Sequence, residues 1–140
     1  MTAPFSGTVK ADYPHSGLTG LIIGCAMKVH TKLGPDLLES SYHACLAYEL
    51  TNAGLEVQSQ VGLPLVYGKV QFEVGYRVDM IVSDLVIVEV KAVDTVIAVH
   101  ESQLLTYLKL SGKEIGLLLN FNVKRLTDGI TRKILTRVMK

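Results

Sequence analysis

The segment from Arg77 to Lys91 constrains this chain more than any other. It reads Arg77-Val78-Asp79-Met80-Ile81-Val82, breaks at Ser83-Asp84, and resumes as Leu85-Val86-Ile87-Val88-Glu89-Val90-Lys91. Two apolar, β-branched runs joined by polar residues read as neighbouring strands. Strands this apolar are normally covered, and a charge within one is costly unless it is paired or bound to a cation. Asp79, Glu89 and Lys91 therefore need a reason. Side chains alternate along a strand, so Glu89 and Lys91 share a face with Leu85 and Ile87, while Val86, Val88 and Val90 point the other way. Asp79 shares its face with Ile81. A two-residue turn at Ser83-Asp84 would set Asp79 opposite Val88, on the wrong face for Glu89. A site shared by the two acids thus requires a three-residue loop or a bulge.

Two carboxylates with a lysine one step beyond suit a hard cation. Asp79 and Glu89 offer oxygen ligands of the kind that hold Mg²⁺ or Mn²⁺. Such a cation can polarise a phosphoryl oxygen and lower the pKa of a water. Lys91 would orient that water or offset charge on the transferring group. The plain alternative is a Glu89–Lys91 pair on an exposed sheet face, with Asp79 as a solvated acid near a loop.

Asp79, followed after a hairpin by Glu89-Val90-Lys91, resembles the core motif of the PD-(D/E)XK nuclease superfamily. Leu33-Gly34-Pro35-Asp36-Leu37-Leu38-Glu39-Ser40-Ser41-Tyr42 resembles the signature of the small bacterial GxxExxY proteins. Gln103-Leu104-Leu105-Thr106-Tyr107 resembles the Gln-x-x-x-Tyr motif of RecB-type nucleases, and Leu117-Leu118-Leu119-Asn120-Phe121-Asn122 is similar to the closing strand. The likeness runs from about Gly20 to Ile134. It departs at Asp36, where the motif has glycine; an acid there would suit the first turn of a helix.

The resemblance implies an α/β class fold, an α+β mixed sheet flanked by helices with a restriction-endonuclease-like core. It implies a site in which Asp79, Glu89, the Val90 carbonyl and Glu39 hold Mg²⁺ or Mn²⁺. Glu39 would reach the site from its helix as an additional acid. Gln103 and Tyr107 would approach from the other side and orient Lys91 or a phosphate. Taken singly, Glu39 also reads as a first-turn acid favoured by the helix dipole. Tyr42 and Tyr107 also read as core aromatics with a satisfied hydroxyl. His30, near the end of the first helix, suits the negative pole there, and a capping or packing role weighs above a place at the site's edge. His15, His43 and His100 show no zinc-site spacing.

Composition bounds the rest. The chain has 140 residues, 49% of them hydrophobic, which fits a single folded domain rather than a disordered chain. Residues 1–16 show no period and read as a flexible arm ahead of one domain spanning 17–140. No apolar stretch is long enough to cross a bilayer. No basic-then-apolar leader is visible, so cytoplasm is the default. Net charge is +1, which is not the balance of a typical nucleic-acid module. Lys109, Lys113, Lys124, Arg125, Arg132, Lys133, Arg137 and Lys140 are the material for a local patch, or simply for solvated surface. Cys25 and Cys45 read as buried free thiols, and two cysteines cannot build a four-cysteine iron–sulfur site in one chain.

Periodicity and punctuation order the elements. Leu18, Leu21, Ile22, Cys25, Val29 and Leu33 recur at helical spacing up to Gly34-Pro35. A second helix is expected from about Asp36 to Ala53, with Leu38, Ser41, Cys45 and Tyr48 inward. Strands follow at Val57 to Val66 and Val70 to Val74, then the two motif strands. His100 to Leu110 reads as a helix and Glu114 to Phe121 as a strand. Gly129 to Met139 suits either a helix or a last strand.

Two functions follow. The first is a metal-dependent nuclease acting on nucleic acid, DNA ahead of RNA. The alternative is a non-catalytic nucleic-acid-binding or protein-interaction module on the same scaffold. A core this small offers little surface to a duplex, so a homodimer or a partner protein would supply more.

Overall fold

The polar interruptions in the sequence fall where elements end. The structure, a computed structural model, describes residues 13–135. Helix α1, Ser16–Leu33, stops at Gly34, whose φ of 67° places it in the left-handed region and whose amide donates to the His30 carbonyl at 2.8 Å. Its buried side is Thr19, Ile22, Ile23, Ala26, Val29 and His30, while Leu21 faces solvent. Helix α2, Glu39–Asn52, begins later than the periodicity suggests. Asp36 precedes it at φ 75° and donates its amide to Asn122 Oδ1 at 2.9 Å. The first-turn acid is thus Glu39, not Asp36. A left-handed backbone is natural to glycine and tolerated by aspartate, which gives the departure at Asp36 a local reason.

The inner stripe of α2 is Tyr42, Leu46 and Leu50, one turn apart; Leu38 and Tyr48, expected inside, are exposed. Tyr42 is fully buried and stacks on Phe121 with centroids 4.7 Å apart. Its hydroxyl donates to the Gly34 carbonyl at 2.5 Å and accepts from the Leu37 amide at 3.2 Å. It is a core aromatic that also closes the α1–α2 loop.

The sheet follows as β1 Val57–Tyr67, β2 Val70–Val82 and β3 Val86–Lys91, then, after helix α3 Ala98–Ser111, β4 Ile115–Asn120 and β5 Ile130–Ile134. A 3-10 turn, Leu126–Gly129, leads into β5. Of the two readings of the tail, the last strand holds at Ile130–Ile134, and residues 136–139 lie outside the described residues. Spatial order equals chain order, and every neighbouring pair is antiparallel except β3–β4, which is parallel because α3 crosses between them. The segments expected as separate strands around Gly75 form one strand. Gly75 at φ 87° carries β2 through a register shift opposite Leu63 and Leu65, and Pro64, which has no amide hydrogen, sits in that irregular stretch.

The result is an α+β fold, a mixed five-stranded sheet flanked by three helices. Met80, Val82, Val86, Val88 and Val90 pack against α1 and α2 on one face. Ile81 and Ile87 pack against Leu104, Tyr107 and Leu108 of α3 on the other. Cys25 and Cys45 are free but only half-buried at the rim of the first core. Of the expected N-terminal arm, residues 1–12 lie outside the described residues. Tyr13 is packed, with the Arg132 guanidinium 4.2 Å from its ring centre, and Ser16 already opens α1. No helix among the described residues is long and apolar enough to cross a membrane.

Asn120 ties two loops to the sheet: its Oδ1 accepts from the Val93 amide at 3.0 Å and the Asn122 amide at 3.2 Å, and its Nδ2 donates to the Val93 carbonyl at 2.9 Å. Gly129 lies against the same residue, and a Cβ there would collide with the Asn120 backbone carbonyl. Gly129→Ala is expected to destabilise the fold by about 2–3 kcal/mol in urea unfolding. Gly24→Ala, in the exposed middle of α1 with open space around it, is expected to stabilise by about 0.5–1 kcal/mol.

Candidate active site

The loop between β2 and β3 has three residues, Ser83, Asp84 and Leu85, as a shared acid site requires. The register runs Met80 to Val88, Ile81 to Ile87 and Val82 to Val86, which continues to Asp79 opposite Glu89. Ser83 and Asp84 hold positive φ values of 53° and 57°. The turn is braced by the Ser83 amide on the Glu56 carbonyl at 2.8 Å and by Lys113 Nζ on Asp84 Oδ1 at 3.0 Å.

The two acids are bonded crosswise. The Asp79 amide donates to Glu89 Oε2 at 2.8 Å, and the Val90 amide donates to Asp79 Oδ2 at 2.8 Å. Each carboxylate thus satisfies a backbone donor of the partner strand. Glu89 is 4% exposed, which removes the solvated-pair reading of this strand. Burial pushes its carboxyl up from an ordinary 4.5 to about 7, with the Asp79 charge the next cause. The Asp79 amide and Lys91 pull it down, and Glu39 adds a smaller upward push.

Beside the pair lies a cavity of about 190 Å³ lined by Glu39, Ser40, His43, Gln60, Asp79 and Val90. Glu39 opens α2 and is exposed at the rim. His43 Nε2 lies 3.2 Å from the Asp79 carbonyl oxygen, which only accepts, so Nε2 carries the hydrogen. Gln60 stands across from Asp79 between the pairs Ser59–Met80 and Val61–Val78, at φ 54°, and its carbonyl accepts from Arg77 Nη1 at 2.9 Å. Sequence reasoning did not single out His43 or Gln60 for this site. His43 had a usable signal, four residues after Glu39 on one helical face. Gln60 had none, since its place depends on strand register.

Tyr107 is 6% exposed and meets the sheet from the α3 side. Its hydroxyl pKa is raised, first by burial and then by Glu89 and Asp79. Gln103 is exposed one turn earlier, and Lys91 is half-buried at the end of β3. Glu39 and Tyr107 therefore flank the acid pair from opposite faces of the sheet. Among the described residues no three His, Cys, Asp or Glu side chains form a ready metal cage. Of the expected ligand set, Glu39, Asp79 and Val90 line the cavity, while Glu89 is buried and bonded to the Asp79 amide.

Other expected residues serve elsewhere. His30 is 9% exposed and its Nε2 donates to the Val123 carbonyl at 2.8 Å, a packing role. His100 Nδ1 accepts from the Ile97 amide at 3.1 Å and steadies the start of α3. The C-terminal cations are partly neutralised: Lys113 pairs with Asp84, Lys133 with Glu101 at 2.7 Å and Arg125 with Asp128 at 4.0 Å. Arg137 and Lys140 lie outside the described residues.

The family model described as the PD-(D/E)XK nuclease superfamily matches residues 16–133, which include all three α-helices, the first four strands, most of β5 and the acid pair. The chain belongs to the PD-(D/E)XK nuclease superfamily. No curated protein and no solved structure matches it. For a PD-(D/E)XK chain, the hairpin register is the feature that brings the motif's two acids to one face.

The buried Glu89 sets a pH dependence. Folded protein keeps a proton on Glu89 up to about pH 7, whereas the unfolded chain releases it near 4.5. Folding stability in EDTA is therefore full below 4.5 and declines as pH rises through 7. The loss is on the order of 2–3 kcal/mol. Glu89→Gln, which keeps an acceptor for the Asp79 amide, should be more stable than wild type at pH 8 and close to it at pH 4.5 in urea unfolding.

Proposed function

We propose that this chain is a divalent-cation-dependent nuclease that hydrolyses phosphodiester bonds, with DNA ahead of RNA as substrate. The observation that carries the reading is the Asp79–Glu89 pair, cross-bonded between two strands, with Glu89 buried, Asp79 lining a cavity and Lys91 further along β3. The donor set fits Mg²⁺ or Mn²⁺. Both acids are hard oxygen ligands, and a carboxyl whose anion is destabilised by burial and by its neighbour gains from a cation. The matching positions of Glu39 and Tyr42 support a place among the GxxExxY proteins, and cytoplasm remains the proposed location.

Asp79, Glu89 and the Val90 carbonyl would hold the cation, with Glu39 at the rim holding its water shell. When bound, the cation supplies Lewis acidity at a phosphoryl oxygen. Lys91 brings an ammonium beside the acids, where it offsets phosphate charge and orients the attacking water. Water adds to phosphorus, the P–O bond to the leaving sugar oxygen breaks, and that oxygen takes up a proton. Tyr107, whose raised pKa keeps its phenol protonated, offers a hydrogen bond to a phosphate oxygen from the α3 side. Gln103 lies further out on α3 for contact with the flanking backbone. His43 acts as a positioning residue by holding the Asp79 carbonyl. A homodimer or a partner protein would extend the surface.

The test is cleavage of single-stranded, duplex and branched DNA and of RNA with Mn²⁺ or Mg²⁺, beside an EDTA control. Wild type is expected to cut only with cation, and Glu89→Ala not at all. Lys91→Ala should lower kcat by about 10²–10³. Mn²⁺ should raise the Tm of wild type and leave that of Glu89→Ala unchanged. Absence of both cutting and a Mn²⁺ shift in wild type would favour a non-catalytic module on the same scaffold.

A further inference from the structure

The far half of the β1–β2 hairpin carries apolar residues that nothing among the described residues covers. Tyr67 is 76% exposed, Phe72 45% and Tyr76 39%, and Val70 and Val74 are about half exposed. Pairing shows which of them share a face. Leu63 stands opposite Tyr76, Leu65 opposite Phe72 and Tyr67 opposite Val70, and cross-strand partners project to the same side. Leu63, Leu65 and Tyr67 are two apart along β1 and so also share a side. Leu63 belongs to the core cluster with Ile87, Leu104 and Tyr107. The stripe Tyr67–Phe72–Tyr76 therefore continues the α3-side face of the sheet outward from Tyr107.

Three features say what this face suits. It is aromatic: three of the chain's nine Phe and Tyr residues lie on it. Its ribbon is short of acids, since Glu73 is the only one between Val57 and Arg77, with Lys69 at the turn and Arg77 at the root. Its outer edge resists pairing with a second copy, because Gln60 is left-handed and Pro64 lacks an amide hydrogen.

We infer that the exposed face of the β1–β2 hairpin is a stacking platform for the unpaired bases of a single-stranded nucleic acid, leading the strand past Tyr107 to the Asp79–Glu89 pair. This rests on the nuclease reading and narrows its substrate class. Bases stack on Tyr67, Phe72 and Tyr76 irrespective of sequence, since every base has a π face. Attachment through rings rather than phosphates accords with a net charge of only +1.

The test is fluorescence anisotropy of a labelled oligothymidylate, and of a duplex of equal length, with the full chain in EDTA, where no cutting occurs. The single strand should bind tighter than the duplex. Tyr67→Ala and Phe72→Ala should each weaken it roughly ten- to hundredfold, and Tyr67→Phe should retain binding. The logarithm of affinity should fall with that of salt concentration with a slope no steeper than about −2. Unchanged binding in the alanine variants, a steep salt slope, or no binding at all would overturn the inference. Sedimentation of the same proteins adds a further outcome: a wild-type dimer made monomeric by Tyr67→Ala would show that a second copy covers this face, and would overturn it too. Mn²⁺-dependent cutting by hairpin variants with wild-type affinity would sink the platform and leave the nuclease reading standing. Hairpin-dependent binding without any cutting would do the reverse.

Discussion

The crosswise hydrogen bonds between Asp79 and Glu89 depend on a single spacing, the three residues between β2 and β3. Were the loop one residue shorter, Asp79 would face the α1–α2 core, where a lone carboxylate costs several kcal/mol unless it is neutralised. The strained turn at Ser83 and Asp84 is what this register requires. Non-glycine residues in the left-handed region cost roughly 1–2 kcal/mol each, and burial of Val82 and Val86 on one face and of Ile81 and Ile87 on the other offsets that. The core thus enforces the turn, and the turn enforces the site.

The same pair trades stability for capacity. A glutamate pushed to about pKa 7 by burial, and then by the Asp79 charge, is an unfavourable way to fill a strand. Its amide bonds restrain geometry without removing the charge repulsion. Acids held this close leave a charge deficit of the kind a bound cation would offset, and Lys91 relieves only part of it. Surrounding residues on opposite sheet faces, Glu39 and Tyr107, converge because α2 and α3 pack on opposite sides of the same two central strands.

Much of this was legible in the residues. The alternation in Val86 to Lys91 placed Glu89 on the face opposite Val88 and Val90, and the structure agrees. The need for a loop longer than two residues followed from that parity alone. Expectations failed where local pattern was ambiguous. The inner stripe of α2 shifted from Leu38, Ser41, Cys45 and Tyr48 to Tyr42, Leu46 and Leu50, because the helix starts at Glu39 and is oriented by the stacking of Tyr42 on Phe121. The two strand segments around Gly75 merged because glycine can carry a bulge as readily as an ending. Of the C-terminal cations, read as material for a patch or as solvated surface, Lys113 and Lys133 pair with acids from distant segments, Asp84 and Glu101, which no local pattern shows.

By itself the sequence determined the class of fold, the identity of the acid pair and the parity that lets the two acids meet, because these depend on alternation and spacing within one short stretch. Tertiary structure alone decided that Glu89 is buried, that His43 and Gln60 border the acids, and that an aromatic hairpin face extends from Tyr107. Each of those depends on register and packing between segments far apart in the chain, and no local pattern carries that information.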